Sequence, residues 1–339
     1  MVNTIRHTPS QPSPGASHHL IFFLPGNPGL ISYYASYLAT LHDLLDIKTR
    51  PDRAVHVYGQ SFPGFEDDQD GTEGLRYPLS LDEQIEHTYD SLLKQKIPSG
   101  LRKDGPFDSV ILIGHSVGTY MILELLRKRN KTAAVHVNVK AGILLFPTVM
   151  HLAQSPTCLK YGSLTRIPDL PRRVNVLVKG LLWFLPRTIM RGLIKYFGGM
   201  PDDAAEVTMR FLESRIGVWQ SLSMVLDEMN QIAEDKWDEE IWGVENPVDN
   251  KTDIPKLIFY FGENDHYVAN HARDALIASR GAKDKAGGEA SKPTMLIDQH
   301  ETPHSFCLSK HRMSDELFTD RANLKQGIAK SLQRRARFG

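Results

Sequence analysis

Cysteine is scarce: Cys158 and Cys307 are the two in 339 residues. That is too few for a disulfide framework and fits a reducing compartment, with one bridge between the pair left open. Neither sign of charge prevails, since 40 Lys and Arg meet 40 Asp and Glu. A general nucleic-acid binder would carry a strongly basic domain, so nucleic acid is not an expected partner. Long apolar runs are missing as well. The first, Leu20-Ile21-Phe22-Phe23-Leu24, is too short for the core of a secretory signal and ends in Pro25-Gly26. No stretch has the uninterrupted apolar length of a spanning helix, so the chain is expected to be soluble or peripheral to a membrane. His-Glu-x-x-His and paired-cysteine motifs are absent, and Glu66, Asp67, Asp68 and Asp70 lack the spacing of a calcium loop. Neither metal nor cofactor is expected.

What is present centres on Val110 to Arg127. Val110-Ile111-Leu112-Ile113 reads as a buried strand, Gly114-His115-Ser116-Val117-Gly118 follows at once, and Tyr120 to Arg127 reads as a helix. Gly-x-Ser-x-Gly alone is a common turn sequence. Between strand and helix it is the setting of a nucleophile elbow, in which a strained turn pushes the serine out over the sheet edge.

Other segments repeat the alternation. Leu20 to Leu24, Ala54 to Gly59, Val135 to Phe146, Lys256 to Gly262 and Thr294 to Ile297 read as strands. Ser32 to Leu45, Leu81 to Leu93 and Asn270 to Ser279 read as helices, and Ser80 with Glu83 forms a capping box for the second. Strands alternating with helices imply parallel βαβ units. Residues 1–17, rich in Ser and Pro, are expected to be a disordered lead. Residues 18–150 and 254–339 form the core, and 151–253, where no strand is evident, is read as an inserted helical cap.

The first half of that cap is basic, with Arg166, Arg172, Arg173, Lys179, Arg187, Arg191 and Lys195 opposed by Asp169 alone, and its second half is acidic. At 174–197 an apolar-basic hairpin is broken at Pro186. Two readings of it stand. In one, paired amphipathic helices bury their apolar faces over the site. In the other, Leu182, Trp183, Phe184 and Leu185 dip into a lipid surface with Arg187, Arg191 and Lys195 against anionic head groups.

Serine needs a base to take its proton, and the base needs an acid to orient it. Ser116, Asp265 and His304 occur in the order serine, acid, histidine, each just beyond an expected strand. Glu263 rivals Asp265, and His300 and His266 rival His304, while His115 is read as support for the turn. For the oxyanion, one N–H comes from the residue after the nucleophile, Val117, and the other from the loop after the early strand. Asn27 is the candidate there, because Pro28 has no N–H.

Leu24-Pro25-Gly26-Asn27-Pro28-Gly29, Gly114-His115-Ser116-Val117-Gly118, Phe259-Tyr260-Phe261-Gly262-Glu263-Asn264-Asp265 and Pro303-His304-Ser305-Phe306 together resemble the lipid-droplet-associated hydrolase family. The Gly-Asn-Pro-Gly turn is the more specific mark. The resemblance runs from Leu20 toward the C-terminus and is weakest through the cap. It implies an α/β-hydrolase fold, with a mostly parallel central sheet flanked by helices. It also implies an intracellular enzyme at the lipid-droplet monolayer or endoplasmic-reticulum surface, acting on lipid or sterol esters. By the same resemblance Ser116, Asp265 and His304 are the triad, and the apolar cap stretch targets the droplet. His266 and Tyr267 after the acid, and the loop at 281–292, depart from the family pattern. The expected function is therefore serine ester hydrolysis. Acyl transfer by the same triad and a catalytically weak lipid-binding or structural protein are the alternatives.

Overall fold

Four runs of apolar residues have no polar face to offer water, and each becomes a strand covered on both sides. They are β2 (Ser17–Leu24), β4 (Ser109–His115), β5 (Val139–Leu145) and β6 (Lys256–Phe261). In the computed structural model, which describes residues 3–10, 12–48, 52–67, 74–131, 137–243, 254–282 and 292–308, these strands are joined by β1 (Thr4–His7), β3 (Arg53–Gln60) and β7 (Thr294–Ile297). The sheet order is β1-β3-β2-β4-β5-β6-β7. Only β1 runs antiparallel, and Ile21 opposite Ile111, Ile111 opposite Ala141 and Phe259 opposite Met295 mark the parallel register.

Helices α1 (Ala35–Lys48), α2 (Leu81–Leu93) and α3 (Val117–Lys131) alternate with the early strands. The Ser80 and Glu83 capping box is formed at α2, with Ser80 N–H donating to Glu83 at 2.8 Å. A cap of this kind stabilises by about 1 kcal/mol. Every residue of α3 from Val117 to Leu126 is buried, so the helix after Ser116 is anchored in the core.

The strand order also places the site. From β2 the chain crosses to β3 on one side, returns past β2 to β4, then continues outward through β5, β6 and β7. The reversal lies between β2 and β4, and the crevice at the carboxyl ends of such strands is where α/β sheets bind ligands. Residues 25–30 leave β2 there, and Ser116 leaves β4 beside them.

One expectation is overturned. The lead at 1–17 is not wholly disordered, because Thr4–His7 adds an edge strand to β3 with Ile5 buried. Its support comes from the backbone ladder and from Arg6, whose guanidinium lies 4.7 Å from the Tyr58 ring centre. Neither is visible in a composition dominated by Ser and Pro.

Between β5 and β6 the regular elements among the described residues are helical: α4 (Pro156–Tyr161), α5 (Leu170–Phe184), α6 (Arg187–Gly198), α7 (Asp202–Glu213) and α8 (Gly217–Gln231). Leu185 is extended ahead of Pro186, which separates α5 from α6. Past α8 the chain returns to the core. Trp237 donates to Glu124 on α3 at 3.2 Å, and Trp242 stacks on Phe259 with ring centres 5.9 Å apart. Helix α9 (Asn270–Arg280) follows β6, and Arg280 pairs with Asp235 at 2.8 Å. The sequence also reads as a C-terminal helix ending in the basic Arg334-Arg335-Ala336-Arg337, which lies outside the described residues, as does most of the loop at 281–292.

Candidate active site

Strand β4 ends at His115 and α3 starts at Val117, leaving Ser116 alone to turn the chain. Its φ is 53°, a left-handed conformation that a residue with a Cβ adopts at a cost of order 1–3 kcal/mol. Space for the turn comes from glycine. A Cβ on Gly118 would stand 2.5 Å from the Leu24 carbonyl oxygen and 2.7 Å from that of Pro25, and one on Gly114 would stand 2.6 Å from the Gly118 carbonyl oxygen. Gly26 completes the fit, since a Cβ there would meet His115 Nδ1 at 2.8 Å. The elbow and the loop after β2 therefore interlock through backbone contact.

Ser116 Oγ lies 3.0 Å from His304 Nε2, and His304 Nδ1 lies 2.7 Å from Asp265 Oδ2. A carboxylate accepts, so Nδ1 carries the hydrogen and Nε2 presents its lone pair to the serine hydroxyl. Asp265 is buried and its other oxygen accepts the Tyr267 N–H at 2.8 Å, which leaves the carboxylate doubly held. Tyr267 packs at a tilt against the imidazole with ring centres 4.7 Å apart, and Phe146 meets it edge-on at 5.7 Å. The rivals do not share this line: Glu263, His266 and His300 are exposed. Such an arrangement can generate a serine nucleophile and then return the proton to a leaving group.

His115 supports the loop that carries His304. Its Nε2 must donate to the His304 carbonyl at 2.9 Å, so Nδ1 accepts from Tyr34 Oη at 2.7 Å, and Tyr34 accepts from the Gly26 N–H at 3.0 Å. Burial holds the His115 imidazole well below its usual range, and the nearby His304 adds to that effect. A neutral ring is what this donor–acceptor pattern requires.

Asn27 and Val117 flank the serine in sequence-distant segments, and among the described residues neither main-chain N–H has a protein acceptor. Donors at these two positions, one after the serine and one in the loop after the early strand, are the ones that could receive an oxyanion at Ser116. The Asn27 side chain is engaged elsewhere, with α8.

Sequence reasoning missed Asp298. It is 1% exposed, accepts from Tyr260 Oη and from the Thr302 N–H at 2.6 Å, and so fixes the turn leading to His304. Its only signal was an acid just after the last strand.

Of the four residues expected at a lipid surface, Trp183 and Phe184 are 79% and 74% exposed, whereas Leu182 and Leu185 are half-buried. The basic residues of that reading have protein partners. Arg187 pairs with Glu206 at 2.6 Å and Glu213 at 2.9 Å, Arg191 with Asp202 at 2.6 Å, and Lys195 with Asp202 at 2.8 Å. Acids of α7 thus pair with the cations that one of the two readings sets against head groups. Folding α6 onto α7 pairs the three basic residues of α6 with acids from the second half of the cap.

A parallel sheet with a strained serine at its switch point, and an acid and a histidine at the ends of later strands, defines an α/β hydrolase. Residues 17–307 match the family described as lipid-droplet associated hydrolase, and the chain belongs to that family. It is 29% identical over 265 residues to the lipid droplet-associated hydrolase of Gallus gallus, covering 76% of this chain and 73% of the relative. Identity to the Mus musculus relative of the same name is 26%, covering 73% and 70%. For the Drosophila melanogaster relative, also of that name, identity is 28%, covering 85% and 84%. Among the described residues no helix is long and apolar enough to cross a membrane.

Replacing Gly118 by Ala tests the interlock. The added Cβ meets backbone at 2.5 Å on β2. Gly118→Ala should therefore cost roughly 1 to 3 kcal/mol of stability from overpacking and abolish most hydrolysis. Gly180→Ala, where the Cβ meets nothing within 4 Å, should be near neutral or stabilising by up to about 1 kcal/mol. Thermal unfolding and ester turnover measured on both variants check this, and equal behaviour would remove the interlock from the account.

Proposed function

We propose that the chain is a serine ester hydrolase acting on lipid or sterol esters at a lipid monolayer, the droplet surface above all. The observation that carries this reading is the continuous hydrogen-bonded line from Ser116 through His304 to Asp265. His304 Nε2 takes the hydroxyl proton as Ser116 Oγ attacks the acyl carbonyl, and Asp265 stabilises the imidazolium. The carbonyl oxygen, now negative, accepts from the Asn27 and Val117 N–H groups. Collapse breaks the ester bond, His304 hands its proton to the departing alkoxide, and an acyl-Ser116 remains. Water, deprotonated by the same histidine, then releases the acid and restores the serine.

Support for a lipid surface comes from apolar side chains that water should not meet. Trp183 and Phe184 on α5 and Tyr196 and Phe197 on α6 are each at least 74% exposed, and Val176, Leu177 and Leu181 extend the α5 face. Exposed patches of this extent mark interaction sites. Burying one such side chain in lipid stabilises by about 1.5 to 3 kcal/mol before ordering costs. The relatives' name, lipid droplet-associated hydrolase, agrees with that placement.

A panel of triacylglycerol, diacylglycerol and sterol esters, with products followed by mass spectrometry, tests the chemistry. Wild type should release fatty acid from at least one member, and Ser116→Ala should lose about 10⁴-fold or more. Equal turnover by both proteins would reject the serine mechanism. Acyl esters formed in preference to free acid when an alcohol is added would reassign the enzyme to acyl transfer.

Surface attachment has its own test. Trp183→Asp with Phe184→Asp should shift the protein from droplets to the soluble fraction, with hydrolysis of a short soluble ester retained as the check on folding. Unchanged droplet partition would remove these residues from the contact.

A further inference from the structure

Helix α8 reaches the loop after β2 with two side chains, and both end on Asn27. The Asn27 amide donates to Glu228 Oε1 at 2.8 Å and to the Ser221 carbonyl at 3.0 Å, while Ser221 Oγ donates to Asn27 Oδ1 at 2.7 Å. Among the described residues, all the side-chain bonds of Asn27 therefore go to a helix nearly two hundred positions away, and none to its own loop. We propose that Glu228 and Ser221 are positioning residues for ester hydrolysis: they fix Asn27 by its side chain, keep its main-chain N–H beside the oxygen of the attacked carbonyl, and do so productively while Glu228 is uncharged. This rests on the reading of Ser116 as nucleophile and of Asn27 as an oxyanion donor.

Geometry sets the first half. Asparagine on a free loop would lose conformational freedom each time an oxyanion formed. Docked by three hydrogen bonds, its main chain is preorganised, and preorganised donors are what make an oxyanion site effective. The docking also ties the loop to the helical region rather than to the sheet alone, so displacement of α8 displaces the donor.

Charge sets the second half. Glu228 is 6% exposed, and no cation among the described residues pairs with it. Its surroundings from each packed element are Asp227 on its own helix, Asn27 on the loop, Cys158 on α4 and Tyr267 after β6, and its charge acts on the last two. Burial pushes the carboxyl up to about 8, the Asn27 hydrogen bond pulls the other way, and Asp227 adds a smaller push upward. At neutral pH the group is mainly the acid, whose carbonyl oxygen still accepts from Asn27. Ionisation tightens that bond equally in the resting enzyme and the transition state. It also sets a negative charge next to the residue that must receive the oxyanion, and like charges in a poorly solvated site repel strongly. The net effect is slower acylation.

The experiment is kcat and KM on a soluble short-chain ester, from about pH 6 to about 9.5, for wild type, Glu228→Gln, Glu228→Leu and Ser221→Ala. In wild type kcat should fall as pH rises through about 8. Glu228→Gln keeps an acceptor for Asn27 and cannot ionise, so its alkaline fall should vanish. Glu228→Leu should lower kcat roughly tenfold or more, short of the 10² to 10³ for losing a donor outright, with KM changed less than about threefold. Ser221→Ala should follow it in direction, and Glu228→Gln should lose severalfold less than Glu228→Leu. An alkaline fall that persists in Glu228→Gln overturns the proposal, as does wild-type kcat in a Glu228→Leu protein with an unaltered unfolding midpoint. If Glu228→Leu does not fold, the Glu228→Gln profile and the Ser221→Ala rate decide. Turnover surviving in Ser116→Ala would instead reject the underlying reading, whatever the Glu228 variants do.

Discussion

The arrangement depends on one close approach. Gly118, at the start of α3, sits where a single added carbon would strike the carbonyl oxygens of Leu24 and Pro25 at 2.5 and 2.7 Å. That contact presses the first turn of α3 against the end of β2, leaves Ser116 the only residue between strand and helix, and forces its positive φ. Strain of this kind persists only when its surroundings over-determine it. Here the surroundings are a fully buried strand before the serine and a buried helix after it. The same contact brings the loop bearing Asn27 beside the serine, so Ser116 and the candidate donor are set by one constraint.

The histidine side is built by a different means. His304 is reached through a loop without regular structure, and polar bonds take the place of packing. Asp298 holds the turn, His115 holds the His304 carbonyl, and Tyr34 links His115 to Gly26. One chain of hydrogen bonds thus runs from the β2 loop to His304. Each member is buried or half-buried, where a satisfied bond rigidifies and an unsatisfied one costs about 1 to 3 kcal/mol.

Much of the fold was legible because a parallel sheet writes itself as unbroken apolar runs. Leu20 to Leu24, Val110 to Ile113 and Leu257 to Phe261 could be little else, and Ser116 and Asp265 stand just past the ends of two of these runs, whereas His304 follows the weaker run Thr294 to Ile297 through a loop. What escaped were features with no local signature. Thr4–His7 forms a strand through a backbone ladder to β3. Arg187, Arg191 and Lys195 found their partners on α7, a pairing made only when two helices fold together. Leu182 and Leu185 resemble Trp183 and Phe184 in a run of apolar letters, but helix phase sets Leu182 half-buried, and Leu185 has already left the helix as an extended residue ahead of Pro186. Ser221 and Glu228 read as polar residues on a helix, because nothing near them in sequence names Asn27.

The central claim is that Ser116 is a nucleophile made reactive by His304. A fluorophosphonate reagent, followed by peptide mapping of the folded protein, tests it most directly. The account predicts one adduct, on Ser116 in the wild type, and its near-complete loss in a folded His304→Ala protein. An unlabelled Ser116 in the wild type, or equal labelling of both proteins, would contradict it.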